Sequence, residues 1–246
     1  MAHDVIAPPY DVINAEEARI LAQGRLNSFL HVSRPEIDLE SNIQYNDPSV
    51  YEMGRQNLRR MIEDDVLIED TEDMIYLYEM IDNDNHQLGI AAVGSVEAYE
   101  ENLIKRHEFT KPNKELDRVN NISSLNAQTG PVLLTYRDNE KLSCLLETIR
   151  DRDRPIYDVK SIDGVVHRIY QVNKSKEQKE IIGLINSMDV LYIADGHHRS
   201  AAAAVVKRTR QAENSNHTGQ ESYNYFLTVS FPESQMKILD YNRLIK

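Results

Sequence analysis

Asp189-Val190-Leu191-Tyr192-Ile193-Ala194-Asp195-Gly196-His197-His198-Arg199-Ser200 is the stretch whose reading decides the fold of this chain. Its first six residues are apolar and β-rich and predict a buried strand over 189–194, while the alanine-rich run over 199–210 predicts a helix. A strand that passes straight into a helix through Asp195-Gly196 exposes unpaired backbone N–H groups at the helix start, and anions bind such ends. Gly196 allows positive φ or close approach, the forked Arg199 guanidinium can grip phosphate oxygens, and Ser200 can add a hydroxyl. Asp195 does not itself favour phosphate, so its expected partner is a metal ion or a substrate hydroxyl. The same residues also fit a plain polar helix start capped by Asp195, with solvated histidines. Zinc is disfavoured at His197 and His198, because adjacent side chains diverge on regular structure and no cysteine or His-x-x-x-His accompanies them.

Outward from this turn the pattern is mixed. Asn14 with Glu17 reads as a capping box opening a helix over 15–23 that Gly24 closes, and Leu26 to Val32 alternates as a strand would. Asp47-Pro48 predicts an N-cap with proline at the first helical position. Met74 to Met80 and Gln87 to Ala98 are β-rich around the turn residues Asp82-Asn83-Asp84-Asn85, which predicts a hairpin. A polar helix is expected over 111–127, a strand over 132–136 after Gly130-Pro131, and a helix over 140–149. Asp163-Gly164 marks a second hairpin, with strands over 156–162 and 165–172. Ser175 with Gln178 suggests another capping box for a helix reaching about Met188. Strands are expected over 224–231 and 237–240, separated from the 199–210 helix by a polar, mobile loop over 211–222. Hairpins placed between helices favour an α+β fold with a mixed sheet.

Composition narrows the function. The chain has 246 residues, enough for one substantial core or two modest ones. Its 40 acidic and 28 basic residues give a formal charge of -12, which opposes broad nucleic-acid binding. The single cysteine, Cys144, cannot form an internal disulfide; its neighbours Leu142 and Leu146 suggest a buried helical position and a reducing compartment. No apolar run approaches the roughly 20 residues that span a bilayer, and the N-terminus lacks the basic and apolar regions of a secretion signal. A cytoplasmic location is the expectation.

A second polar constellation lies at His107-Glu108-Phe109-Thr110-Lys111 through Arg118. On one helix, Lys114, Asp117 and Arg118 share a face. They fit either a solvated, ion-paired surface or a site in which Glu108 binds Mg²⁺ or takes a proton while Lys114 and Arg118 neutralise phosphate charge. Asp11, stiffened by Pro8-Pro9, is either an Asx turn or a substrate contact. Tyr10 reads more readily as packing.

Ala194-Asp195-Gly196-His197-His198-Arg199 resembles the signature of the domain-of-unknown-function family 1015. Ala7-Pro8-Pro9-Tyr10-Asp11-Val12-Ile13 resembles that family's N-terminal motif; His107 to Thr110, Lys114 to Arg118, and Ala127-Gln128-Thr129-Gly130-Pro131 resemble its middle ones. The family is similar to the ParB/sulfiredoxin-like superfamily, whose turns bind nucleotide phosphates and some of whose members are free-serine kinases using ADP or ATP. The resemblance implies a ParB/sulfiredoxin-like core with an insertion over about 45–185. It also implies an N-terminal fragment, since relatives continue past the Asn242-Arg243-Leu244 region. By position, Glu16 or Glu17 answers to the kinases' general base.

Together these readings give a nucleotide-dependent phosphotransferase acting on free serine or a similar hydroxylated metabolite, with ADP or ATP and Mg²⁺. Asp195, His197, His198 and Glu108 are its candidate catalytic groups, and Asp195 and Glu108 its candidate Mg²⁺ ligands. Gly196, His198, Arg199, Ser200, Lys114 and Arg118 are placed on phosphate, and Tyr10, Asp11, His107 and Asp117 on substrate. Two alternatives stand beside it: a phosphatase or nucleotide hydrolase, and a ParB-like nucleotide switch or DNA-partitioning protein. The last needs a helix-turn-helix or a basic face, and neither is visible. Membrane and nucleic-acid partners are not expected, and a homodimer is compatible with the sequence.

Overall fold

A computed structural model describes residues 2–83 and 85–238. A helical N-terminal block holds α1 (Ala2–Val5), α2 (Ala15–Ala22), α3 (Leu30–Ser33), a 3-10 turn (Pro35–Asp38) and α4 (Pro48–Glu63). The hairpin strands β1 (Tyr76–Asp82) and β2 (Asn85–Ser95) follow, then α5 (Val96–Glu100), β3 (Ile104–Lys105), α6 (Pro112–Leu125), β4 (Val132–Tyr136) and α7 (Glu140–Arg152). The second hairpin, β5 (Tyr157–Lys160) and β6 (Val166–Gln171), leads into α8 (Ser175–Asn186), β7 (Leu191–Asp195), α9 (His197–Glu213), a 3-10 turn (Ser222–Asn224) and β8 (Tyr225–Pro232).

The strands form one sheet in the order β3-β7-β4-β8-β2-β1-β6-β5. It is mixed, as expected: β7 runs parallel to β3, and β4 parallel to β8, while the other neighbours are antiparallel. The register aligns Ile193, Leu134, Ser230, Ile90, Leu77 and Tyr170 in a row across six strands, and all six are buried. Helices cover that face in two halves. Leu142, Leu146 and Ile149 of α7 and Ile181 of α8 pack on Leu77, Ile90 and Tyr170. Val96 and Tyr99 of α5 and Ala203 and Ala204 of α9 pack on Leu134 and Ile193. The alanine run works as its composition suggests, since a methyl side chain lets a helix axis lie close to a sheet. Ala201 to Ala204 are all buried.

Local signals that depend on neighbouring residues are realised. Asn14 caps α2 by accepting from the Glu16 and Glu17 N–H groups, and Glu17 completes the box by accepting from Asn14 N–H at 2.8 Å. Asp47 caps α4 with Pro48 as its first residue.

Several expectations need correction. Residues 26–32 are not a strand: consecutive turns run through them, and α3 occupies Leu30–Ser33. Their alternation arises because Leu30 packs with Ala18 and Ala22 while Val32 packs with Leu58 and Met61, so nearby residues serve two separate cores. Residues 96–98 leave the strand for α5, which Ser95 caps by accepting from Ala98 N–H at 3.2 Å. Ser175 is the first residue of α8 rather than its cap; Lys174 holds the cap position without a side-chain bond. The strand β7 is only partly buried, with Ile193 alone among its residues fully inside, because its outer neighbour β3 is two residues long. Cys144 is exposed, lying between Leu142 and Leu146 on the opposite side of α7 from the buried stripe. The 199–210 helix extends to Glu213, and the loop after it is knit around Glu221, whose carboxylate accepts from Thr218 and Gly219 N–H at 2.6 and 2.9 Å. Desolvation opposes the Glu221 charge, but those backbone donors hold its carboxyl down at about 2. Residues 237 and 238 are outside any strand, and the rest of the expected 237–240 strand lies outside the described residues, as do Asp84 and the 242–244 segment.

Candidate functional site

The turn at Asp195 to Ser200 begins where β7 leaves the sheet. Gly196 is the N-cap of α9, at φ 98° and ψ 27°, and no side chain among the described residues caps this helix start. The requirement for glycine is steric as well as conformational: a Cβ there would lie 3.0 Å from Arg199 Nε and 3.2 Å from Val132 Cα in β4. Asp195 therefore does not cap. Its exposed carboxylate pairs with the Arg199 guanidinium, which also donates to the Pro131 carbonyl at 2.7 Å. Arg199 thus ties the turn to Gly130-Pro131 at the start of β4.

The two histidines face the loop between β3 and α6. His197 is buried, and its Nε2 accepts from His107 N–H at 3.4 Å while its Nδ1 lies 3.7 Å from Glu108 Oε2. The two rings of His107 and His197 meet edge to face, 4.4 Å between centroids. His198 Nε2 accepts from Lys111 N–H at 3.0 Å. A nitrogen that accepts carries no proton, so both imidazoles are held as neutral Nδ1–H tautomers. Desolvation, joined by His107 for His197 and by Lys114 for His198, lowers both imidazoles from their ordinary value. The loop from His107 to Lys111 is consequently strapped at both ends across the start of α9. At its apex Phe109 is 98% exposed. Thr110 anchors the strap to α6 by donating to Glu115 at 2.7 Å.

A third group links this region to the N-terminus. Arg118 of α6 bonds Asp117 at 3.0 Å and stacks on the Tyr10 ring at 4.4 Å. Asp117 also accepts from the Tyr51 hydroxyl of α4 at 2.8 Å. Desolvation and that hydrogen bond to Asp117 push the Tyr51 phenol up to about 12, so it remains a donor.

Over residues 1–246 the chain matches the family described as protein of unknown function, DUF1015. The chain belongs to the DUF1015 family. No curated protein and no solved structure matches it. The motifs of this DUF1015 chain, spread from residue 7 to residue 199, are joined through direct contacts: Tyr10 to Arg118, His107 and Lys111 to the two turn histidines, and Pro131 to Arg199.

Within the DUF1015 chain the expected site residues separate into two groups. Gly196, His197, His198, Arg199, Asp195, His107 and Glu108 meet at the α9 start, with Lys114 close enough to act on His198. Ser200 is fully buried, and its hydroxyl donates back to the Gly196 and His197 carbonyls at 3.3 and 3.1 Å, so that proton is committed inside the helix. Arg118 and Asp117 are committed to each other and to the two tyrosines. Asp11 is exposed and makes no bond with a described residue. Glu17 is engaged at the α2 cap. Lys111 and Pro131 were invisible as contacts in the sequence because they act through backbone atoms, which any residue carries. Tyr51 gave no signal either, being one tyrosine among 13.

Among the described residues no group of three or more His, Cys, Asp or Glu side chains converges on a common point. Asp195 and Glu108 fit Mg²⁺ only in its usual phosphate-borne form, where one or two carboxylates and waters complete a shell begun by the nucleotide. No helix among the described residues is long and apolar enough to cross a membrane.

Proposed function

We propose that the α9 start binds the phosphates of ADP or ATP and that the chain is a nucleotide-dependent phosphotransferase acting on a small hydroxylated metabolite such as free serine. The observation that carries this reading is the helix start at Gly196, where no side chain of a described residue takes the first-turn N–H groups and Lys111 and Lys114 flank His198. Such a start offers backbone donors and the positive end of a helix dipole. The helix with its alanine-packed seat supplies a rigid base for them.

In the transfer itself a substrate hydroxyl oxygen bonds to the terminal phosphorus as the bridging P–O bond to the nucleotide breaks. The hydroxyl proton passes to the exposed Glu108 carboxylate, and the electron pair of the broken bond leaves on the nucleotide. Mg²⁺ would be carried by the nucleotide phosphates themselves, neutralising the developing charge and leaving Glu108 free to take the proton. The incoming phosphate competes with Asp195 for Arg199, so binding is expected to swing that guanidinium from carboxylate to phosphate. Placement in a ParB/sulfiredoxin-like superfamily, a cytoplasmic setting and a homodimer belong to the same proposal.

The test is incubation of the chain with ADP or ATP, Mg²⁺ and a panel of hydroxy-amino acids, followed by phosphorus NMR. A phosphomonoester of one acceptor is the expected product. Inorganic phosphate without an acceptor would replace the reading with a phosphohydrolase, and the absence of both, together with no calorimetric nucleotide binding, would remove it.

A further inference from the structure

At the far end of the α6–α9 seam, away from the turn, the two helices part around a cavity of about 130 Å³. The 3-10 turn Ser222–Asn224 closes its third side. Ile122 and Asn126, one turn apart on α6 and its C-cap, face Ala203, Val206 and Arg210 along one stripe of α9, with Tyr223 across from them. The lining is mixed: Ile122, Ala203 and Val206 form its apolar side, Asn126, Gln128, Ser222 and Tyr223 its neutral polar side, and the one charge among the described residues is the Arg210 guanidinium. Arg210 is half-buried, yet it makes no hydrogen bond or ion pair with a described residue. In a chain with 40 acidic residues against 28 basic ones, a cation without a carboxylate partner in a concave, partly apolar place is unexpected.

We infer that this cavity is a binding site for a short aliphatic carboxylate, whose two oxygens meet the Arg210 fork and whose tail lies on Ile122, Ala203 and Val206. Several features fix the class. The planar guanidinium matches a carboxylate in a bidentate pair. No acidic side chain of a described residue lines the cavity, so a ligand ammonium would meet no counter-charge, which disfavours free amino acids and amines. Tyr223 cannot serve as a second cation, and its hydroxyl already receives the Asn214 amide at 2.9 Å and faces His217 Nδ1 at 2.8 Å. A single guanidinium is too little charge for a phosphomonoester dianion. A dry cavity of about 150 Å³ holds a six-carbon ring, so about six non-hydrogen atoms fit, the size of butyrate. The site is separate from the phosphate turn, and its test does not depend on any phosphotransfer.

Calorimetric titration of the full chain with sodium butyrate, against sodium chloride at matched ionic strength, tests it. Saturable one-to-one binding is expected, with 1-butanol and butylamine neither binding nor competing. Arg210→Gln should weaken butyrate at least tenfold while leaving the circular dichroism spectrum unchanged, and Arg210→Lys should retain part of the affinity. The inference is overturned if butyrate shows no saturable binding, if Arg210→Gln binds it as tightly as the parent, or if butylamine displaces it.

Discussion

Replacing Gly196 by alanine tests the geometry of the turn most directly. Two costs add. A residue with a Cβ at φ 98° lies in the left-handed region, which is worth about 1–2 kcal/mol. The new methyl would also sit 3.2 Å from Val132 Cα and 3.3 Å from Val132 Cγ2, and backbone in the middle of a sheet gives way poorly; crowding of this kind adds about 1 kcal/mol or more. Arg199 Nε at 3.0 Å must move too, which strains its bond to Pro131. A total of about 2–4 kcal/mol, divided by a urea slope of about 3 kcal/mol/M, shifts the unfolding midpoint down by about 1 M. Two glycines calibrate the assay. Gly164 shares the positive φ, 91°, but meets only Lys160 Cε at 3.8 Å, so Gly164→Ala should lose the conformational part alone, about 1–2 kcal/mol. Gly183 lies in α8 with nothing within 4 Å, so Gly183→Ala should gain about 0.5–1 kcal/mol. Equal losses for Gly196→Ala and Gly164→Ala would refute the argument that β4 crowds the turn.

Heteronuclear NMR of the imidazoles should find His197 and His198 as Nδ1–H tautomers titrating below 6.5; protonation of either at neutral pH would refute the strap geometry. Because the folded state holds both imidazoles below the ordinary value, unfolding takes up protons, so the stability they contribute is present above about 6.5 and is lost as the pH falls through their lowered values. A His197→Asn/His198→Asn variant should show a flatter urea midpoint between neutral and mildly acidic pH. Glu79 is 2% exposed and accepts from His86 Nε2 at 2.6 Å and Tyr170 at 2.9 Å, with Arg168 at 3.3 Å. Desolvation opposes its charge, but these partners lower its carboxyl overall, so Glu79→Gln should cost about 2 kcal/mol at neutral pH, discounting the exposed His86, with the gap closing as the pH falls below about 4.5. Asp195→Asn frees Arg199 and removes a negative charge beside the proposed phosphate, worth about 1 kcal/mol, so tripolyphosphate should bind roughly fivefold tighter by calorimetry. Weaker binding would place Asp195 on the ligand's side of the site.

Elements defined by residues a few positions apart could be read directly: the Asn14–Glu17 box, the Asp47-Pro48 start, the Asp163-Gly164 hairpin and the strand that becomes α9. Where the pattern served two masters it misled. Leu30 and Val32 alternate because they enter different cores, and Leu142 to Leu146 enclose a cysteine that the helical period turns outward. In the site, residue types announced Gly196 and Arg199, but not what Arg199 touches. Its partners are a carboxylate four residues back and a carbonyl 68 residues away, and only tertiary structure selects the second. The histidines looked like chemistry in the sequence and serve as acceptors for backbone N–H groups in the fold. The signal that would have separated these roles, the pairing of 107–111 with 197–198, spans about 90 residues and leaves no local trace.

The sheet order also dictates a schedule for a chain leaving the ribosome. The antiparallel half, β2-β1-β6-β5, has all its strands by Gln171. By contrast, β4 has only β7 and β8 as neighbours, and both emerge after it. At roughly 5–20 residues per second, Val132 to Tyr136, five uncharged and β-prone residues, wait several seconds or more with both edges bare. That interval is when the nascent chain is most open to pairing with another copy of itself. Cotranslational chaperone contact should therefore concentrate on this segment, and end when β8 slides into place beside it.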